Sequence, residues 1–169
     1  MSHIENKVEW CLRKAENEIK ESGKHRGLIK IKSDITKARE HVKKAEHYLK
    51  ATIYLKKGDF SDLSASSIFY AMYHCLLAIA VKFGYESRNQ ECTFALINSL
   101  IEEGKIHLKK EMIEKIASFN DDHHDEKTTT EIREQYQYGT ELSLKDDLYN
   151  ELLELAKTIL AQTKSTLEE

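Results

Sequence analysis

Apolar residues recur every three or four positions in six segments of the chain, which is the period of an amphipathic helix. The first segment spans about residues 4–20, and its apolar face carries Ile4, Val8, Cys11, Leu12, Ala15 and Ile19. The second begins near the cap candidates Ser33 and Asp34 and ends at Gly58 and Asp59. Its apolar positions alternate steps of three and four, which is typical of a long bundle helix: Ile35, Ala38, Val42, Ala45, Leu49 and Thr52.

The third segment, residues 61–84, is apolar on nearly every side. We therefore expect it to be the central and most buried helix. Residues 120–140 are polar, acidic and rich in threonine, which predicts a long loop with at most one helical turn around Arg133. The whole pattern predicts an all-α, up-and-down bundle of about five or six helices. Residues 1–32 are expected to form an N-terminal helix and basic connector packed on a bundle of residues 33–169.

The composition suits one helical domain with a hydrophobic core. The 169 residues include 40% apolar and 33% charged side chains, six glycines and no proline, the usual helix breaker. The longest apolar stretch, residues 71–81, is interrupted by His74 and is too short to span a bilayer, so we expect no membrane segment. Residues 1–19 carry several charges, so we expect no signal peptide and a cytoplasmic protein.

The three cysteines indicate a reducing environment. Cys11, Cys75 and Cys92 are far apart and fit neither a Cys-x-x-Cys pair nor a zinc spacing. An odd, scattered set of this kind favours reduced thiols in an intracellular protein.

Two charged segments carry candidate chemistry. Residues 24–32 include four basic side chains that can track a nucleic-acid backbone, but the net charge of −3 favours a solvated helix face. Residues 121–126 read Asp-Asp-His-His-Asp-Glu, which are ligand types for a transition metal. They are consecutive, with no second cluster to complete a site. We therefore expect a solvated loop, no metal and no cofactor.

Two further segments carry a family resemblance. Residues 45–97 contain a long helix, a Gly-Asp turn and an apolar helix with Phe-Tyr-Ala-Met-Tyr-His at residues 69–74. Residues 132–143 place Arg133 and Tyr138 just before the closing helix. Both segments resemble the HEPN domain, in particular its small stand-alone prokaryotic members. That family has a Tyr-Tyr-Ala-Met-Phe-His-like helix, and often an arginine, four residues and a tyrosine or histidine before its last helix.

The resemblance implies chemistry on RNA or nucleotides. Many HEPN proteins are metal-independent ribonucleases with an Arg-x4-6-His motif, two copies of which meet across a dimer interface. The histidine takes a proton from a ribose 2′-OH, and the arginine neutralises charge that develops on the phosphate. Here Tyr138 replaces the histidine, and a phenol with a pKa of about 10 is a poor general base at neutral pH. It can still donate a hydrogen bond to a phosphate or stack on a base.

Three functions stay open from the sequence. The favoured one is a HEPN-type module that binds RNA or a nucleotide around Arg133, Tyr136, Tyr138 and Tyr70. The second is an active metal-independent ribonuclease whose catalytic residues are Arg133, Tyr138 and His74. The third is a non-catalytic protein interaction module. The resemblance also implies a homodimer and a toxin–antitoxin-like pairing with a small nucleotidyltransferase, in which this chain is the toxin-like or the substrate-binding partner.

Each candidate residue also has a purely structural interpretation. Arg133 lies among acidic residues and can close a surface ion pair, which is worth little. Tyr136 and Tyr138 can pack against the final helix. His74 follows Tyr70 by four residues on one face of an apolar helix, where a histidine is usually a core residue with one hydrogen bond. The functional alternative is that Tyr70 and His74 line a groove opposite Arg133.

Overall fold

A computed structural model of the protein describes residues 3–117 and 127–169. In these ranges the chain forms seven helices and two short strands: α1 (His3–Ser22), β1 (Leu28–Lys30), α2 (Ile35–Lys57), α3 (Ser61–Lys82), β2 (Tyr85–Ser87), α4 (Gln90–Glu102), α5 (Lys110–Ile116), α6 (Thr129–Tyr138) and α7 (Asp146–Glu168). The predicted all-α class is confirmed. The described ranges hold at least one helix more than the pattern predicted.

The antiparallel hairpin of α2 and α3 is the largest packing unit of the domain. Asp34 caps α2, as predicted, by accepting a hydrogen bond from the backbone N–H of Lys37. At the turn, Asp59 adopts a φ of 63°, a left-handed conformation that Asp tolerates better than most residues. The burial of α3 on most of its sides follows from its apolar pattern, and α6 and α7 pack against it. Its fully buried large side chains are Ile68, Phe69, Met72, Leu76 and Ile79.

The N-terminal segment is attached to the rest of the chain at two places. The α1 helix packs on α4, and a disulfide joins Cys11 to Cys92 between them. Strand β1, which lies within the basic connector, pairs antiparallel with β2. The prediction of three reduced thiols is therefore wrong for Cys11 and Cys92, because packing brings together two cysteines that are 81 positions apart. Cys75 is a free, buried thiol.

The second half of the predicted loop is a helix, α6. A capping box closes its first turn: the Thr128 hydroxyl accepts from the Glu131 N–H, and the Glu131 carboxylate accepts from the Thr128 N–H. The Thr129 hydroxyl donates to the carbonyl of Lys115, which ties α6 to α5. The loop prediction is wrong here because the threonines that suggested a loop serve as helix caps and anchors.

Within the described ranges, α3 is long and apolar enough to cross a membrane. However, 72% of its most apolar window is buried inside the fold. Burial to this extent is typical of the core helix of a helical domain.

Candidate functional site

Arg133 lies where α6 crosses α3. Its guanidinium carbon is 4.5 Å from the centre of the Phe69 ring and 6.0 Å from that of Tyr70. Phe69 is fully buried, and Arg133 itself is only 9% exposed. An arginine over the face of an aromatic ring is attracted by the negative face of the ring, and most strongly where water is excluded. The aromatic pair thus holds a positive charge at a fixed place.

The polar atoms of Arg133 are only partly used. Its Nη2 atom is 3.3 Å from a carboxylate oxygen of Glu134, its neighbour on the helix. Its Nε atom is buried and has no hydrogen-bond acceptor among the described residues. Buried N–H groups are nearly always paired, so this one gives Arg133 a hydrogen-bond donor that no described residue uses.

A row of aromatic rings continues from Arg133 along the α2–α3 hairpin. The ring of Tyr70 stacks on that of Tyr48, with 5.6 Å between ring centres, and Tyr48 stacks in turn on His74 at 5.6 Å. The Lys44 ammonium lies 5.2 Å from the centre of the Tyr48 ring. All three rings are partly exposed. The structure therefore brings Arg133, Tyr70 and His74 into one row, which Tyr48 bridges.

His74 ends this row in contact with a second histidine. Its Nδ1 atom is 3.0 Å from the Nδ1 atom of His41, so one ring donates this hydrogen bond and the other accepts it. Burial is the main cause that lowers the pKa of His74 to about 4, and His41 and Lys44 lower it further. Burial and Lys37 also lower the pKa of His41.

The two other predicted tyrosines lie elsewhere on α6. Tyr138 is 79% exposed at the end of the helix. At about 100° per residue, five positions rotate it about 140° away from Arg133, so the Arg-x4-Tyr spacing does not put both side chains on one face. Tyr136 is half-buried and lines a separate cleft of about 590 Å³ between α5, α6 and α7. The structure thus joins neither tyrosine to the row at Arg133.

Two residues of the row, His41 and Tyr48, are absent from the residues predicted from the sequence. The signal was present in their spacing. Seven positions separate them on α2, and four positions separate Tyr70 from His74 on α3, so each pair shares one helix face. The spacing thus gives one polar and aromatic face on each helix, but which residues meet across the hairpin depends on its register.

The other candidate chemistry is not assembled in the described ranges. Residues 3–117 and 127–169 hold no group of three or more His, Cys, Asp or Glu side chains that could bind a metal. The acidic and histidine-rich run at residues 121–126 lies outside those ranges. Burial raises the pKa of the Cys75 thiol to about 12, so it is not a thiolate nucleophile at neutral pH.

The lowered pKa of His74 predicts a pH-dependent stability. The unfolded chain takes up a proton below pH of about 6.5, whereas the folded chain resists protonation down to pH of about 4. The free energy of unfolding is therefore expected to fall as the pH is lowered through this window. The expected loss is about 1 kcal/mol, because solvent screens a half-exposed group beside Lys44 and His41.

Urea denaturation of the wild type and of His74→Gln at pH 7, 5.5 and 4.5 measures this effect. The stability of the wild type relative to the variant is expected to decrease as the pH falls. Carboxylates elsewhere titrate equally in both proteins and cancel in the difference. A difference that stays constant across the three pH values contradicts the prediction.

Comparison with known proteins identifies the chain as a family member. The family model of the HEPN domain matches residues 38–166, which is well over half of the sequence. A comparison with curated proteins found no match. The match begins in α2, includes the α2–α3 hairpin, Arg133 and nearly all of α7, and agrees with the helical fold. The chain belongs to the HEPN domain family.

Proposed function

We propose that the protein is an RNA-binding module that holds a phosphate group at Arg133. The observation that carries this proposal is the environment of the Arg133 guanidinium. Its charge is held against Phe69 and Tyr70, while its buried Nε–H lacks an acceptor among the described residues. A phosphate oxygen is the acceptor that best fits a guanidinium, because the two groups match in charge and hydrogen-bond geometry.

The rings beside Arg133 support a nucleotide rather than a simple anion. Tyr70, Tyr48 and His74 form a partly exposed row at stacking distances from one another. Unpaired bases stack on such side chains and hydrogen-bond to their polar edges, which is the usual mode of recognition of single-stranded RNA. We therefore place the base of the bound nucleotide against this row and its phosphate at Arg133.

The ribonuclease alternative has less support. A pKa of about 4 makes His74 a weaker proton acceptor than an ordinary histidine at neutral pH. Tyr138, which replaces the histidine of the family motif, lies on another side of α6 and is highly exposed. We therefore propose binding without rapid cleavage.

We keep the homodimer, the nucleotidyltransferase partner and the cytoplasmic location as proposals that rest on the resemblance. An apolar cluster at the α2–α3 turn supports a protein partner, either a second copy of this chain or a nucleotidyltransferase. Tyr54 is 77% exposed, Phe60 55% and Leu63 51%, and exposed apolar clusters of this kind mark interaction surfaces.

Arg133→Met tests the proposed binding. Methionine keeps an unbranched apolar stem to pack on Phe69 but removes the charge and the N–H donors. The dissociation constant for a mixed-sequence oligoribonucleotide, measured by fluorescence anisotropy in EDTA, is expected to rise about tenfold. The matched control is Arg13→Met, which removes an exposed arginine of α1 and is expected to leave binding within twofold.

The same samples decide between binding and cleavage. Intact RNA after incubation with either protein, together with weaker binding by Arg133→Met, is the expected result. Cleavage by the wild type alone would establish the ribonuclease alternative instead. Equal RNA affinity of the wild type and Arg133→Met, with the variant folded by circular dichroism, refutes the proposed role of Arg133.

A further inference from the structure

A second cleft lies at the far end of the same α2–α3 face, away from Arg133. It has a volume of about 160 Å³ and lies between the two helices and the β2 segment. Its polar lining includes Lys37, His41, Glu86 and Arg88. The lining shares His41 with the row described above, where His41 contacts His74. The cleft and the row are therefore parts of one continuous surface.

This surface follows the geometry of both helices. Its residues on α2 are Lys37, His41, Lys44 and Tyr48, and its residues on α3 are Tyr70, His74, Leu77 and Val81. On each helix the four positions are spaced by four, three and four residues, which keeps them on one straight stripe. We call this surface, from Arg133 to Arg88, the α2–α3 track. Eleven residues of helix make the stripe about 16 Å long.

The far end of the track carries a cluster of positive groups arranged around one acid. The Glu86 carboxylate is 2.9 Å from the Arg88 guanidinium, 3.6 Å from the Lys37 ammonium and 3.4 Å from Nε2 of the buried His25. Burial raises the pKa of Glu86, but Arg88 and Lys37 outweigh it, so the pKa is lowered overall. The acid orients both cations. Arg88 and Lys37 keep 57% and 44% of their side chains exposed, so they can also reach a ligand.

The alternation of charge and rings along the track matches an unpaired nucleic-acid strand. One cation, Arg133, stands at the first end, partly exposed rings and Lys44 occupy the middle, and Lys37 and Arg88 stand at the second end. Single strands are bound by positive groups that follow the phosphates and by rings on which the bases stack. A duplex keeps its bases stacked inside and offers none to the rings. Acids also lie on or beside the track: Glu86 pairs with Lys37 and Arg88, Glu40 is close enough to His41 to raise its pKa, and Glu134 is 3.3 Å from Arg133.

We propose that the α2–α3 track binds a single strand of about four to six nucleotides, with a second phosphate site at Lys37 and Arg88. This inference rests on the proposed function, because the first phosphate site is Arg133. It adds a defined length of the bound strand, its alignment along the hairpin, and a second phosphate contact at Lys37, about 16 Å along α2 from Tyr48. Short ligands reach Arg133 alone, and longer ones reach both ends.

A length series of oligouridylates tests the second site. Competition anisotropy gives the affinity of two-, four-, six- and eight-nucleotide strands for the wild type and for Lys37→Ala with Arg88→Ala. The affinity of the wild type is expected to increase with strand length up to about six nucleotides. The double variant is expected to bind the dinucleotide normally and to lose about tenfold for the longer strands.

The matched control removes one arginine and one lysine from the opposite side of α2. Arg39 and Lys43 are exposed and lie about 170° and about 130° around the helix from the middle of the stripe, so Arg39→Ala with Lys43→Ala is expected to keep the full gain in affinity with length. The salt dependence gives a second readout. The slope of log affinity against log salt is expected to become shallower by about 1.4 for the track variant, because each phosphate contact on a single strand contributes about 0.7, and to stay unchanged for the control.

The outcomes separate the two proposals. The second site is refuted if Arg133→Met lowers the affinity for strands of every length, while the track double variant still gains affinity with strand length as the wild type does and keeps the wild-type salt slope. The proposed function stands in that case. If Arg133→Met has no effect at any length, the proposed function itself fails.

Lys37→Gln with Arg88→Gln retains hydrogen bonds to Glu86 and replaces the alanine variant if that does not fold. A parallel series of oligothymidylates separates RNA from single-stranded DNA as the ligand.

Discussion

Replacing Phe69 with alanine is expected to lower the free energy of unfolding by about 3–5 kcal/mol. The ring is fully buried in α3. It meets Tyr70 edge-on at 5.4 Å between ring centres and stacks on Tyr73 at 5.9 Å, while Arg133 covers its face. The truncation would leave a cavity between α3 and α6 and would take away the surface on which the arginine charge rests.

Chemical denaturation in urea, followed by circular dichroism, measures this loss. Phe60→Ala is the matched control, because it deletes the same ring where it is 55% exposed, and it is expected to cost less than about 1 kcal/mol. Phe69→Leu refills most of the volume and is expected to cost about 1.5 kcal/mol or less. If Phe69→Ala costs no more than Phe60→Ala, then Phe69 is not the packing centre between α3 and α6.

Phe69→Leu also separates packing from charge positioning. The leucine variant keeps an apolar side chain beneath Arg133 but has no ring face to attract the guanidinium. A stable variant with weakened RNA binding would show that the ring positions the arginine, whereas a variant with wild-type affinity would show that any apolar contact suffices.

The hairpin of α2 and α3 was predictable because its signals are local. The apolar period of α2, the cap at Asp34, the Gly58-Asp59 turn and the nearly continuous apolar run of α3 all agree with one another. Where local signals agree in this way, the sequence alone indicates the helices, their order and the most buried helix.

The α6 helix shows where local signals fail. Its sequence is polar and short, so hydrophobic periodicity predicts a loop, yet the Thr128–Glu131 capping box and the Thr129 anchor form a helix. Burial of Arg133 could not be predicted for a related reason. It depends on how α6 docks on Phe69, and a charged residue in a polar segment carries no local sign of burial.

The candidate site was predicted in part for the same reason. Tyr70, His74 and Arg133 were identified through the family resemblance, and the structure brings them into one row. Tyr138 was selected by its spacing from Arg133 along the sequence, but in a helix that spacing turns the two side chains apart. His41 and Tyr48 join the row only through the register of the hairpin, which a single sequence does not specify.

Reducing the disulfide between Cys11 and Cys92 is expected to lower the free energy of unfolding by about 2–4 kcal/mol. The two residues are 81 positions apart, so the bond closes a long loop and restricts the unfolded chain. It is also the covalent tie between α1 and α4. A reducing cytoplasm would remove this tie and leave α1 held by packing and by the β1–β2 pair.

Urea denaturation of the wild type with and without a phosphine reductant measures the contribution of this bond. Cys11→Ala with Cys92→Ala is expected to match the reduced wild type and to be insensitive to the reductant, whereas Cys75→Ala retains the bond and is expected to keep that sensitivity. Thiol counting under denaturing conditions should find one free cysteine before reduction and three after it. Three free thiols before reduction, or equal stability in both conditions, would mean that packing alone holds α1 and that the reduced form predicted from cysteine spacing is the stable one.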